Sequence, residues 1–402
     1  MRSTLSVLGL LGAALLLWAC YPASQVSYSN PQETAVQQWL IEHRPSDGRL
    51  QLTLRVRRER KDGNYSSDNN GFPITPDQLT GLTRDQMMSA SGTNVSFQMK
   101  RDAGTFNFEG WFRQGNGSGH FIFTPNSSFA SELSKLGFGQ ATDDQLLSLA
   151  MGDTGFAFIN ELKSQGFDTA TVEQLVRMSN HGVRLEYLQG LKTLGLGVKT
   201  TELVVRMKDH GVSLNFIREM NGLGYTNLTP EDLVRTKDHG VSAQYINEFV
   251  NAGYERSPLE QWVRMKDHGV HMTFVTELKE LGYERIPLDE LRRMKDHGVS
   301  ASFIKELRDV GYSNVPVDQL IRLKDHGVSA SFIRKMQEKG YSNLPVDEYI
   351  RLKNRGEGGS YETILRLSAA VAEARGLESP EREEFVRKSL RACGFTSDTA
   401  GA

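Results

Sequence analysis

The sequence predicts an α+β protein, a small antiparallel β domain followed by an αα-hairpin solenoid of about eight 29-residue repeats. Three observations predict it. His181, His210, His239, His268, His297 and His326 are spaced by 29 residues every time. An aromatic column keeps the same period: Phe129, Phe158, Tyr187, Phe216, Tyr245, Phe274, Phe303, Phe332 and Tyr361. Before these repeats, LQLTLRVRRE (50–59) alternates Leu50, Leu52, Leu54 and Val56 with Gln51, Thr53, Arg55 and Arg57. A fixed period of this length marks a stacked array, and strict alternation marks a half-buried strand.

The 402 residues carry 47 Lys plus Arg against 49 Asp plus Glu, a formal net charge of -2. That balance disfavours a generic nucleic-acid binder, which needs a basic excess, so no nucleic-acid partner is expected. Charged residues at 24% and hydrophobic residues at 38% fit an ordinary folded protein. Two cysteines, Cys20 and Cys393, are too few for a disulfide scaffold or a Cys-based zinc site.

Residues 1–19 read as a lipoprotein signal peptide. Arg2 precedes an apolar run from Leu5 to Leu17, too short for a resident membrane helix but suited to a signal core. Leu17-Trp18-Ala19-Cys20 resembles the bacterial lipobox, which makes Cys20 the expected lipidation site. Two or more acyl chains would anchor the protein stably. Residues 20–35, polar and with two prolines, read as a tether. The expected location is the bacterial envelope, lipid-anchored at the outer membrane and facing the periplasm.

Residues 36–125 read as the β-rich domain. ITPDQLTGLTRDQMMS (74–89) predicts a helix. VSFQMKRDAGTFNFEGWFRQGNGSGHFIFTP predicts three or four strands, separated by Asp102-Ala103-Gly104 and by Gly115-Asn116-Gly117-Ser118-Gly119. Arg55, Arg57, Arg58, Arg60 and Lys61 form a basic run that either faces solvent or meets an anionic surface.

Residues 126–376 read as the solenoid with a terminal cap. In PLDELRRMKDHG (287–298), Pro287 suits a first helical turn, Asp289 and Glu290 favour the positive end of the helix dipole, and Lys295 and His297 the negative end. Gly298 ends the helix, Val299 closes a Schellman contact, and Ser300 caps ASFIKELRDV, which ends at Gly311 and Tyr312. Two such short helices bury their apolar stripes only against neighbouring units. SYETILRLSAAVAEARG after the break at 355–359 reads as the cap, and 377–402 as a C-terminal helix and tail.

No HExxH, Walker A loop, strand-linked GxGxxG or GxSxG elbow occurs, so the expectation is a non-enzymatic protein without cofactor. The candidate binding ladder is Arg177, Arg206, Arg235, Arg264, Arg293, Arg322 and Arg351, four residues before the His181, His210, His239, His268, His297 and His326 column and on the same helix face. Two readings stay open. Each Arg pairs internally, with the Asp three residues on or with Glu219, Glu248, Glu277 or Glu306, and each His bonds a carbonyl. Otherwise the face is open to an envelope protein or an anionic ligand. A metal shared by neighbouring His is disfavoured, because helices pack 8–10 Å apart and zinc ligands lie about 2 Å from the ion. The Asp beside each His is expected to add little, since adjacent helical residues point apart.

The phrase LVRMKDHGVSxxFIxEL…GY resembles helical repeats appended to bacterial antirepressor-type membrane metallopeptidases of the β-lactam-sensor family and to related envelope proteins. The strand motif DAGTFNFEGWF…GxGxGxFxFTPN is similar to the segment accompanying those repeats. The resemblance spans roughly residues 95–350. The peptidase motif and its membrane helices are missing, so the resemblance implies only the accessory sensing or binding part. The residues themselves point to a non-enzymatic envelope lipoprotein that binds a protein or ligand through its repeat surface, with a structural spacer, or a metal-binding or sensory module using the His column, as alternatives.

Overall fold

The computed structural model describes residues 37–392 except 45, 47, 60–64, 168–169, 340 and 356–360. Cys20, the signal peptide, the tether, Arg60, Lys61, Cys393 and the glycine-rich break fall outside the described residues. So do the side chains of Arg57 and Arg58. Among the described residues no helix is long and apolar enough to cross a membrane. The chain divides into two compact units at Asn126–Ser127, each described below by itself.

The first unit is one curled antiparallel sheet of seven strands: β1 (Gln37–His43), β2 (Leu50–Glu59), β3 (Tyr65–Ile74), β4 (Leu79–Thr80), β5 (Thr93–Arg101), β6 (Gly104–Arg113) and β7 (Asn116–Pro125). They lie in the order β3-β2-β1-β7-β6-β5-β4. Alternation sets which face each residue takes. Trp39 and Ile41, Leu50 through Val56 at every second position, Phe97, Met99, Phe106, Phe108, Phe112 and Phe121 all fall on the buried face. Trp39 meets Phe97 edge-on at 5.3 Å, and Phe97 stacks on Phe108 at 4.8 Å.

Two expectations for this unit are corrected. The stretch 74–89 is not one helix: a single 3-10 turn Pro76–Gln78, then β4, then a five-residue helix Arg84–Met88 occupy it. TPDQ and TRDQ each build their own capping box from Thr75 and Thr83, and Gly81 at φ +93 breaks the chain between them. The second strand break is not spread over 115–119 either. The turn is Gln114-Gly115, with φ of 50 and 82, the signs of a type I′ hairpin. Gly117 and Gly119 lie inside β7. Gly119 pairs with Gly110, and a Cβ at Gly119 would stand 2.0 Å from the Glu109 carbonyl oxygen. One at Gly110 would stand 2.7 Å from the Trp39 ring. The missing side chains let the indole lie against the sheet, where its Nε1–H donates to the Glu109 carbonyl at 3.0 Å.

The second unit is the helical array. Between Ser127–Lys135 and Val346–Arg355 lie sixteen described helices, all of nine residues except the last, of ten. First helices of successive units stack on first helices, and second on second. The unit read from sequence appears as Leu288–Asp296 and Ala301–Asp309. Leu291, Met294, Phe303, Ile304 and Leu307 are buried. Gly298 takes φ +69, and the Val299 N–H donates to the Met294 carbonyl at 2.8 Å, closing the Schellman motif. Ser300 accepts from the Phe303 N–H at 3.2 Å, and the Tyr312 N–H closes the second helix on the Leu307 carbonyl at 2.9 Å. The helices Tyr361–Ala374 and Ser379–Ala392 follow where the cap and the C-terminal helix were expected.

Candidate functional site

The Lys-Asp-His-Gly phrase occupies the ends of five first helices, from Thr201–Asp209 to Val317–Asp325, and each of its four residues makes a contact across the boundary between units or ends the helix. In Leu259–Asp267, Gly269 at φ +67 provides the left-handed residue that stops the helix. The His before it is the C-cap, its own N–H held by the carbonyl of the Arg four residues earlier, as in His268 to Arg264 at 3.1 Å.

The histidine side chains do not bond carbonyls. Nδ1 of His181 lies 2.6 Å from Oδ1 of Asp209 in the next unit, and the same contact joins His210 to Asp238 at 2.5 Å, His239 to Asp267 at 2.5 Å and His297 to Asp325 at 2.6 Å. His268 and Asp296 pair in the same way. His326 meets Asn354 at 3.1 Å. A carboxylate only accepts, so Nδ1 carries the proton in these pairs and each imidazole is fixed in tautomer and orientation. The Asp beside each His therefore matters. Adjacent helical residues do diverge, and that divergence aims the Asp back at the preceding unit while the His points to the following one.

The lysine of the phrase also reaches back. Lys266 Nζ stands 4.7 Å from the centre of the Tyr245 ring, and five further pairs repeat this at 4.6–5.0 Å: Lys208 on Tyr187, Lys237 on Phe216, Lys295 on Phe274, Lys324 on Phe303 and Lys353 on Phe332. The Lys266 stem crosses Gly240, whose missing Cβ would lie 3.5 Å from Cε. Burial, with the Arg184 charge as a lesser cause, pushes the Lys208 ammonium below its usual pKa.

The arginines pair with partners other than those expected. Arg177, Arg235, Arg293 and Arg322 contact Glu202, Glu260, Asp318 and Asp347, the acidic residue in the first turn of the next first helix, at 3.9, 2.6, 3.0 and 2.5 Å. The Arg235 hydrogen bond, aided by Arg264, holds the Glu260 carboxyl below its ordinary range. Arg264 and Arg351 pair within their own helices, with Glu260 and Glu348. Arg206 is exposed and makes no ion pair among the described residues. The Arg and His columns thus run in line along the array and do not converge. No group of three or more His, Cys, Asp or Glu able to hold a metal occurs among the described residues.

A second feature lies on the outer face of the sheet. β1, β7 and β6 place three rows of side chains there: Leu40, Ser118 and Trp111; Gln38, His120 and Glu109; and Ile122 beside Asn107. Trp111 is 48% exposed, Ile122 60% and Leu40 42%. With Thr53, Arg55, Asn69, Ser96 and Gln98 on the flanking strands they line an open cleft of about 1350 Å³. Gln98 Nε2–H donates to Asn107 Oδ1 at 2.8 Å, and Asn107 Nδ2–H to Thr124 at 3.1 Å. Arg55 Nε–H donates to Ser67 at 3.0 Å. The sequence reading missed this cleft, although the run of outward positions at 107, 109, 111, 118, 120 and 122 was available once the hairpin register was fixed.

No protein-family model matches the chain, and no curated protein matches its sequence.

Proposed function

We propose that the protein is a non-enzymatic, lipid-anchored scaffold of the bacterial envelope, in which the helical array is the mechanical part and binds through no column of its repeated phrase. The observation carrying this reading is the engagement of Lys, Asp, His and Gly of the phrase in contacts between units or in ending the helix, as at His239–Asp267 and Lys266–Tyr245. Side chains held in such contacts serve the stack first, so recognition is left to exposed positions that vary between units and to the sheet face. The similarity of the repeats to accessory regions of antirepressor-type metallopeptidases fits a part that senses or presents and does not catalyse.

Co-purification from intact membranes tests it. The chain extracted in detergent should carry lipid on Cys20, and chemical crosslinking before extraction should retain envelope components. Replacing Arg235, Arg293 and Arg322 together should leave those components unchanged. Their loss with the fold intact would return the ladder to the role of a binding surface.

A further inference from the structure

The sheet cleft has a lining of unusual mixture. Trp111, Leu40 and Ile122 expose apolar surface, while Gln38, Asn69, Ser96, Gln98, Asn107 and Ser118 surround them with amides and hydroxyls. Strand spacing of about 4.8 Å and a two-residue repeat of about 6.8 Å spread the three central rows over roughly 10 by 14 Å, room for more than one six-membered sugar ring.

We propose that this cleft binds an uncharged glycan chain, stacking a pyranose ring on Trp111. Charge complementarity selects the ligand. The charged groups among the described lining residues are Arg55 and Glu109, with the His120 imidazole beside the latter. An anionic polymer would meet Glu109, and a cationic one Arg55; a neutral ligand meets no opposing charge. Hydroxyl-rich ligands need donors and acceptors at once, and Asn and Gln amides supply both. The face of an indole carries partial negative charge and attracts the positively polarised axial C–H groups of a sugar ring. Leu40 across Ser118 and Ile122 along β7 accept the remaining apolar edges or an acetamido methyl. The Gln98–Asn107–Thr124 chain holds its amides in place before any ligand arrives. Large concave sites with a few ordered polar groups are where small ligands bind.

This deepens the scaffold reading by naming what the sheet recognises, and its test is separate from the membrane co-purification. The full-length chain in detergent is titrated with the hexamer of β-1,4-linked N-acetylglucosamine, read by calorimetry and by tryptophan fluorescence. Saturable binding is expected, weakened about tenfold or more by Trp111→Ala and largely kept by Trp111→Phe, a free-energy change of about 1.4 kcal/mol for each factor of ten. Arg293→Ala, in the array, should bind as wild type. Circular dichroism melts confirm that Trp111→Ala is folded; Glu109→Gln and Asn107→Ala provide second variants on the same face. No heat and no fluorescence change at millimolar sugar would overturn the proposal. So would binding unchanged in Trp111→Ala, or binding only to polyglutamate with strong salt dependence.

Discussion

His239 donates its Nδ1 proton to Asp267, 28 residues further along the chain and in the next repeat, across 2.5 Å. Both side chains are about 40% exposed, which sets the size of the effect. Exposed pairs typically contribute 0.2–1 kcal/mol, and a double-mutant cycle with His239→Ala and Asp267→Ala should return a coupling of about that size in urea denaturation. Zero coupling would remove the pair as a stabilising contact.

Gly240 sits at φ +67 where its helix ends, and a Cβ there would meet Lys266 only at van der Waals distance. The cost of Gly240→Ala is therefore backbone strain, about 1–2 kcal/mol, while Gly240→Asn should cost less because Asn tolerates the left-handed region. Equal losses for the two would point to crowding instead.

Lys266→Met keeps the stem over Gly240 and removes the ammonium from the Tyr245 ring. The expected loss is about 0.5–1 kcal/mol, and Lys266→Ala should lose more because the stem goes too. Thermal melts of the two variants separate the contributions.

Tyr245 and Tyr187 donate their hydroxyls to the Val270 and Val212 carbonyls of the next unit at 2.7 Å. Burial raises both pKa values above the ordinary tyrosine value, with Glu248 a lesser cause at Tyr245. The neutral phenol is the form the fold favours. Its contribution is complete below the unfolded value of about 10 and is lost as pH rises through the higher folded values. Alkaline unfolding followed at the tyrosinate absorbance should therefore begin above about pH 10, and Tyr245→Phe should flatten the dependence. A wild-type chain whose tyrosines titrate freely near pH 10 would contradict this.

Deleting residues 240–268 removes one period and leaves His239 with Asp296 in the place of Asp267, again 28 residues on in the new numbering. That variant should fold, with a smaller urea m-value, since the array is bonded only to nearest neighbours. A deletion one residue shorter shifts the spacing across the junction alone, carries Asp296 out of register with His239, and should be less stable in urea than the whole-period deletion.

The array was legible because its signals are local. Gly298, Val299 and Ser300 specify a helix end and the next helix start within a few residues. What the sequence hid is the direction of side chains across a unit boundary. Spacing placed Asp267 beside His268, yet its partner is His239, and Arg235 reaches Glu260 in the next unit, not Glu248 in its own second helix. In the sheet, Gly117 and Gly119 carried the composition of a turn, but Gly117 leaves space for the Phe112 ring and Gly119 for the close backbone of Glu109 and Gly110. A glycine absent for room and one absent for chain reversal look alike in one dimension. β3 was missed for the related reason that YSSDNNGFPI has few apolar residues and pairs as an edge strand with β2.

The contact between His239 and Asp267 has a direction: one side of every unit donates and the other accepts. A column built this way needs an acceptor before its first donor and a donor after its last acceptor, or it must stop. Here the column stops at both ends by substitution. At the start, Gly152 stands where a His would be, and Asn180 takes the Asp position. At the far end, Asn354 receives His326 as an uncharged last acceptor, and Arg355 replaces the next donor. Two amides and two substitutions thus confine the charged His–Asp column to the units between His181 and Asp325, so that a change of pH or salt acts on the middle of the array and spares both of its ends.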